Sequence, residues 1–483
     1  METATERAAS RETADGGLVR VLSLFDATML VAGSMIGSGI FIVSAAVARQ
    51  VGSPFWLLTL WLASGVITVV GALVYGELAA TMPRAGGQYV FLREAFGGMV
   101  GFLYGWTLFL VIQTGTIAAV AVAFGKFLGV LLPALGEHTI LIDTGLPAGW
   151  AFARISSAQV VAVGLVALLT AVNLRGIDTG KRVQNAFTTA KVASLLAVVG
   201  LGGYALGWGP AVGNLGSAFW HPVGSGFPPL TPAFLIVLGA ALVGPLFSAD
   251  AWNNVTFTAA EVRNPKRNLP LSLALGTGLV TLLYLGANVA YLAVLDFRAV
   301  ATAAEDRVAT AMLAHLFGAP GAIVLALAIL VSTFGCNNGL ILAGARVVYA
   351  MARDGLFFRG AGKLNRAGVP GRALMWQGVA AALLAISGTY GKLLDFVIFA
   401  NLLFYATTGA AVLILRRLRP ELERPYRVVG YPLLPIAYVA ATLAIAAALL
   451  FHPATRGSSL AGLGIVACGL PAYAWLRARQ QAR

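Results

Sequence analysis

Residues 33–41 read Gly33-Ser34-Met35-Ile36-Gly37-Ser38-Gly39-Ile40-Phe41, and residues 244–254 read Gly244-Pro245-Leu246-Phe247-Ser248-Ala249-Asp250-Ala251-Trp252-Asn253-Asn254. Each stretch interrupts a long apolar run near its middle with glycines and small polar residues. A helix in lipid pairs its own amides and carbonyls, so a break is tolerated only where protein surrounds it. Half-helix N-termini expose N–H groups of partial positive charge, and half-helix C-termini expose carbonyls of the opposite sign. Two facing breaks therefore match a zwitterion, with its carboxylate on amides and its ammonium on carbonyls. The competing reading is a glycine cluster that serves only close helix packing.

The rest of the chain sets these breaks in a membrane. Of 483 residues, 59% are hydrophobic and 11% charged, against about a quarter charged in soluble proteins. Spanning a hydrocarbon layer takes roughly 20 apolar residues. Twelve such runs are predicted, at 22–49, 54–82, 98–132, 156–173, 183–206, 232–258, 269–296, 319–352, 372–388, 392–415, 432–451 and 457–476. They are called spans 1 to 12. The fold class is all-α membrane protein, and the connections are too short for a soluble domain. The breaks fall in spans 1 and 6, an odd offset of five, which makes corresponding helices antiparallel, as in an inverted five-helix repeat. The expected organisation is a disordered tail at 1–20, a first repeat at 21–206, a second at 232–416, two further helices at 431–477 and a tail at 478–483.

The net charge of +14 reads as topology rather than nucleic-acid binding. With both termini on the cytoplasmic side, 24 Lys and Arg fall inside and 6 outside, leaving Lys126, Lys191 and Arg346 within spans. That asymmetry follows the positive-inside rule. The two cysteines, Cys336 and Cys468, lie within spans, so no disulfide framework or thiolate metal site is expected. The histidines His138, His221, His315 and His452 fall in outer loops or span ends without triad or metal spacing, so neither an enzyme, a metal centre nor a cofactor is expected. No repeated filter sequence or acidic ring points to a channel.

Several segments, taken in order, carry a resemblance. They are Gly33 to Phe41, Met82 to Val90, Val172 to Gly176, Gly180 to Asn185 with Lys191, Leu246 to Pro270, Phe334 to Gly355 and Arg424 to Arg427. The chain resembles the amino acid/polyamine/organocation superfamily, and within it the L-type amino acid transporter group. The resemblance implies twelve helices, an inverted repeat and an α-amino acid held between the two breaks. It places Ile36, Gly37, Ser38 and Gly39 at the substrate carboxylate and the carbonyls of Phe247, Ser248 and Asp250, with Ala249 among them, at the ammonium. It makes Phe247 the aromatic that closes over substrate, Trp252 a second gate or packing residue, and Asn338 a pocket-bordering side chain.

Ionisable groups inside spans are functional hypotheses by default. Lys191 lies about two and a half turns in from Arg182, too deep to snorkel easily. The resemblance places it where sodium-coupled relatives hold the ion, with the carbonyls of Gly33 and Ile36 and the hydroxyl of Ser332 as partners. A tethered cation there implies sodium-independent transport; a lysine that exchanges a proton implies a proton symporter instead. Asp250 reads either as a cap on the second half-helix of span 6 or as a reader of a cationic side chain. Glu77 and Arg346 read as gate partners of Arg84 or as snorkelling groups, Lys126 as snorkelling. Gln113, Thr114 and Thr116 either line the solute path or bond between helices.

The expected function is sodium-independent exchange of α-amino acids across a bacterial inner membrane, with proton symport or polyamine carriage as alternatives. Eukaryotic members of the resembled group pair with a glycoprotein through a loop cysteine between spans 3 and 4. The loop at 133–155 has none. A disulfide-linked heavy chain is therefore not expected.

Overall fold

The protein is described from a computed structural model that covers residues 17–145, 152, 154–206, 213–217, 219–220, 231–387 and 390–481. His221, residues 1–16 of the N-terminal tail and residues 482–483 of the C-terminal tail lie outside the described residues.

Local signals start the helices. Ser23 and Asp26 form a reciprocal capping box at the head of span 1, Ser53 caps span 2 with Pro54 in its first turn, and Thr231 with Pro232 opens span 6. Among the described residues, nine helices are long and apolar enough to cross a membrane. These are Pro54–Thr81, Gly98–Leu131, Ser157–Leu174, Ile177–Ala205, Pro265–Val294, Ala319–Arg353, Val397–Leu418, Leu433–Phe451 and Pro453–Arg479. Leu24–Met35 and Gly39–Val51, bent by 41°, form span 1. The apolar helices Pro232–Ser248 and Gly371–Ser387 take the places of spans 6 and 9, which gives the twelve-helix all-α fold.

The structure departs from expectation in three respects. Span 6 does not run to 258: its helix ends at Ser248 and resumes only as the short turns Asn254–Phe257 and Ala259–Glu261. Ala251 at φ 65° takes the chain out of helical geometry directly after Asp250. Span 5 begins at Ile177 rather than 183, because Gly176 at φ 122° makes the turn from span 4 tight. The connections also carry structure of their own: a helix Gln88–Phe96, a two-stranded hairpin of Ile140–Asp143 with Arg154–Ser156, and a helix Val308–Phe317.

Span 7 packs along span 2 and against the first half of span 1, while span 8 lies between spans 3 and 5. The segments that follow spans 2 and 8 meet at one end of the molecule, where Tyr89 OH donates to Asp354 at 2.8 Å. The last tail residues are ordered there: Leu18 is fully buried with Ala260 and Tyr349, and the amides of Val21 and Leu22 donate to the Glu261 carbonyl at 2.9 Å each. Arg346 and Glu261, both 1% exposed, form a two-point ion pair at 2.9 and 3.1 Å. Removing either partner strands a buried charge, at a cost of about 3–5 kcal/mol.

Candidate substrate site

The two breaks meet. The first half of span 1 ends with five successive carbonyls, and side chains from spans 5, 7 and 8 cap every one of them. Lys191 Nζ donates to Gly33 O at 2.6 Å and Ile36 O at 2.8 Å, Cys336 Sγ to Ser34 O at 3.0 Å, and Tyr284 OH to Met35 O at 3.1 Å. Ser332 Oγ donates to Ile36 O at 3.2 Å and Gly37 O at 3.1 Å. An ammonium at a helix C-terminus also meets the negative end of its dipole. The third partner of Lys191 is the Ser332 backbone carbonyl, at 3.3 Å, and not its hydroxyl, which is spent on the span 1 break.

Tyr284 carries the second junction. Its hydroxyl lies 3.1 Å from Met35 O and 2.9 Å from Ser248 O, so one side chain of span 7 ties the end of span 1's first half to the end of span 6's helix. Sequence reading did not single it out; a buried tyrosine in a long apolar helix gives no local sign of a partner 249 residues away. Tyr284→Phe removes this shared donor, and initial uptake in reconstituted vesicles is expected to fall about tenfold, the worth of one lost buried hydrogen bond.

Gly39 presses directly on Ser248: a Cβ there would sit 2.2 Å from Ser248 Oγ. Around this close approach lies a narrow cleft lined by Gly37, Ser38, Gly39, Phe247, Ser248 and Asp250, with Ser34, Met35, Thr116, Val120, Ala251 and Cys336. Ala251 holds φ 65°, a conformation rare outside glycine and typical of strained functional sites. Ile36 and Ala249 belong to the breaks without lining the cleft, Ala249 N donating to Pro245 O at 3.0 Å. The Phe247 carbonyl accepts from Asp250 N at 3.1 Å. A separate cleft of about 670 Å³, bordered by Val43, Val47, Gln50, Lys126 and Asp306, reaches Val243 and Gly244. Phe247 lies about one helical turn beyond Gly244, between this vestibule and the inner cleft.

Several expected placements differ. Asn338 does not line the cleft; it donates to Gly180 O at 3.0 Å and Gln184 Oε1 at 3.1 Å and accepts from Asn173. Two residues beyond Cys336 is about 200° round a helix, so it faces spans 4 and 5. The stripe facing the breaks is Ser332 and Cys336, four apart, a spacing readable in the sequence. Trp252 points away from the cleft, edge-on to Tyr75 at 4.7 Å and tilted against Tyr405 at 5.5 Å. Asp250 caps no half-helix: its oxygens accept from Asn401 Nδ2 at 2.8 Å and Tyr405 OH at 2.5 Å on span 10. Glu77, Arg346 and Arg84 do not form one network. Glu77 pairs with Arg416 at 2.6 Å, Arg346 with Glu261, and Arg84 approaches Glu94 at 3.7 Å. Lys126 pairs with Glu137 at 2.8 Å, and Gln113 bonds across to Leu340 O at 2.8 Å. His138 lies with Glu137 and Glu305, their ligand atoms within 4.8 Å of one another, at a loop surface far in sequence from the breaks.

A multi-pass membrane protein whose two broken helices meet around a buried polar cleft is built as a solute transporter. The family model described as amino acid permease matches residues 22–468, and the chain belongs to that family. It is 30% identical to the human large neutral amino acids transporter small subunit 2, over 97% of this chain and 83% of that one. It is 29% identical to the serine/threonine exchanger of Bacillus subtilis (strain 168), over 97% and 99%. It is 28% identical to the mouse b(0,+)-type amino acid transporter 1, over 87% and 80%.

Proposed function

We propose that the protein exchanges α-amino acids across a bacterial inner membrane by alternating access, without sodium. The observation that carries this reading is Lys191 Nζ seated among the carbonyls of Gly33, Ile36 and Ser332, where it leaves no room for a bound cation. The substrate carboxylate meets the amides of Gly37, Ser38 and Gly39 at the head of the Gly39–Val51 helix, a helix N-terminus of positive polarity with no side-chain cap bond. The ammonium meets the carbonyl side formed by Phe247, Ser248 and Asp250. Phe247 serves as the gate between vestibule and cleft; Trp252 supports the break from behind. Asn338 keeps no substrate role in this reading. The halves at 21–206 and 232–416 act as inverted repeats, with both termini cytoplasmic as the 24-to-6 charge asymmetry supports. The vestibule of about 670 Å³ then faces outward. No disulfide-linked heavy chain is needed, since Cys336 and Cys468 both lie in membrane helices.

Vesicles loaded with unlabelled amino acid and offered labelled amino acid outside test this. Uptake is expected to rise severalfold with internal amino acid and to be unchanged when choline replaces sodium. Uptake driven by a pH gradient and indifferent to internal amino acid would overturn exchange in favour of proton symport through Lys191.

A further inference from the structure

A second cavity continues from the cleft, sharing Thr116, Asp250 and Ala251 with it. Span 3 contributes Tyr104 and Gln113 to its wall, the unwound part of span 6 contributes Asn253 and Asn254, and span 10 contributes Asn401. It has room for about one water molecule.

The donors around it are unevenly used. Gln113 Nε2 is spent on Leu340 O, Asn253 Nδ2 on Gln88 Oε1, Asn401 Nδ2 on Asp250 and Thr116 Oγ1 on Ile112 O. Tyr104 is fully buried and Asn254 is 2% exposed, yet neither the Tyr104 hydroxyl nor the Asn254 side-chain nitrogen has a partner. A buried donor without an acceptor is costly, so two in one small cavity mark a place for an acceptor oxygen.

We propose that this cavity is the side-chain subsite of the transporter, and that it selects amino acids with a short side chain ending in a hydroxyl. This rests on the reading that the neighbouring cleft holds the α-amino and carboxylate groups. The oxygen accepts from Tyr104 and Asn254 and occupies the water-sized space. An aliphatic side chain of the same size leaves both donors unpaired. A larger one does not fit. A cationic one brings only donors, while Asp250's oxygens already receive Asn401 and Tyr405.

The test is competition against labelled alanine uptake in reconstituted vesicles, using threonine and valine, which match in shape and differ by the hydroxyl. In the natural chain threonine is expected to compete on the order of tenfold better than valine, the effect of leaving a buried donor unpaired. Tyr104→Phe, which keeps the ring against Phe404, and Asn254→Leu are each expected to bring the threonine-to-valine ratio close to one. A ratio near one in the natural chain, or one that survives both substitutions, overturns the subsite. So does lysine competing better than threonine with a dependence on Asp250 alone. Absence of saturable uptake for every amino acid would instead overturn the parent reading.

Discussion

Lys191→Ala is expected to cut amino acid uptake by about a hundredfold or more. The substitution strips the Gly33 carbonyl of its donor and leaves Ile36 O with the Ser332 hydroxyl alone, while the Ser332 carbonyl stays within the span 8 helix. Each stranded buried acceptor costs about 1–3 kcal/mol, and about 1.36 kcal/mol is tenfold in rate. The loss falls on the break itself, because these carbonyls fix where the first half of span 1 ends and hence where the Gly37 to Gly39 amides point. Lys191→Met, which keeps the length and lacks the donors, is expected to behave as the alanine variant does. Initial rates at equal amounts of folded, monodisperse protein make the measurement. Rates in either variant within twofold of the natural chain would remove Lys191 from the mechanism.

Gly39→Ala is the other large effect, for a steric reason. Its Cβ would lie 2.2 Å from Ser248 Oγ, 2.8 Å from Ser248 Cβ and 3.0 Å from Ser248 Cα. A rotamer change can move the hydroxyl, but the main chain of Ser248 stays in the way, so the two breaks must separate. Overpacking of this kind costs about 1–3 kcal/mol and displaces both backbone surfaces that face the solute. Uptake is expected to fall about tenfold to a hundredfold. Ser248→Gly in the same chain removes the two nearest atoms and is expected to restore part of the activity. The contrast is Gly37→Ala, where the nearest atom to the new Cβ is Cys336 Sγ at 3.4 Å and the packing tolerates it. An unaltered rate in Gly39→Ala would mean that the breaks do not work pressed together.

The features legible along the chain were those set by local chemistry. Twelve apolar runs and the paired small-residue interruptions depend on composition over about 20 residues, and lipid enforces them strongly because it offers no hydrogen bonds to an unpaired backbone. The family resemblance pointed at Lys191 for the same cluster the structure assembles, although it assigned the Ser332 hydroxyl a bond that its carbonyl makes. What stayed hidden was helix rotation. A turn of about 100° per residue decides whether Cys336 or Asn338 faces the cleft, and nothing in an almost wholly apolar helix marks that face. Partner choice between distant spans was hidden for the same reason: Glu261 for Arg346, Arg416 for Glu77, and Tyr405 with Asn401 for Asp250. The sequence by itself determined a membrane helix bundle broken in two places, with a lysine deep within one span that the family resemblance set beside the first break. Only the tertiary structure decided that Tyr284 joins the breaks, that Asp250 turns to span 10, and that Tyr104 and Asn254 hold unused donors in one cavity, because those depend on helices meeting across hundreds of residues.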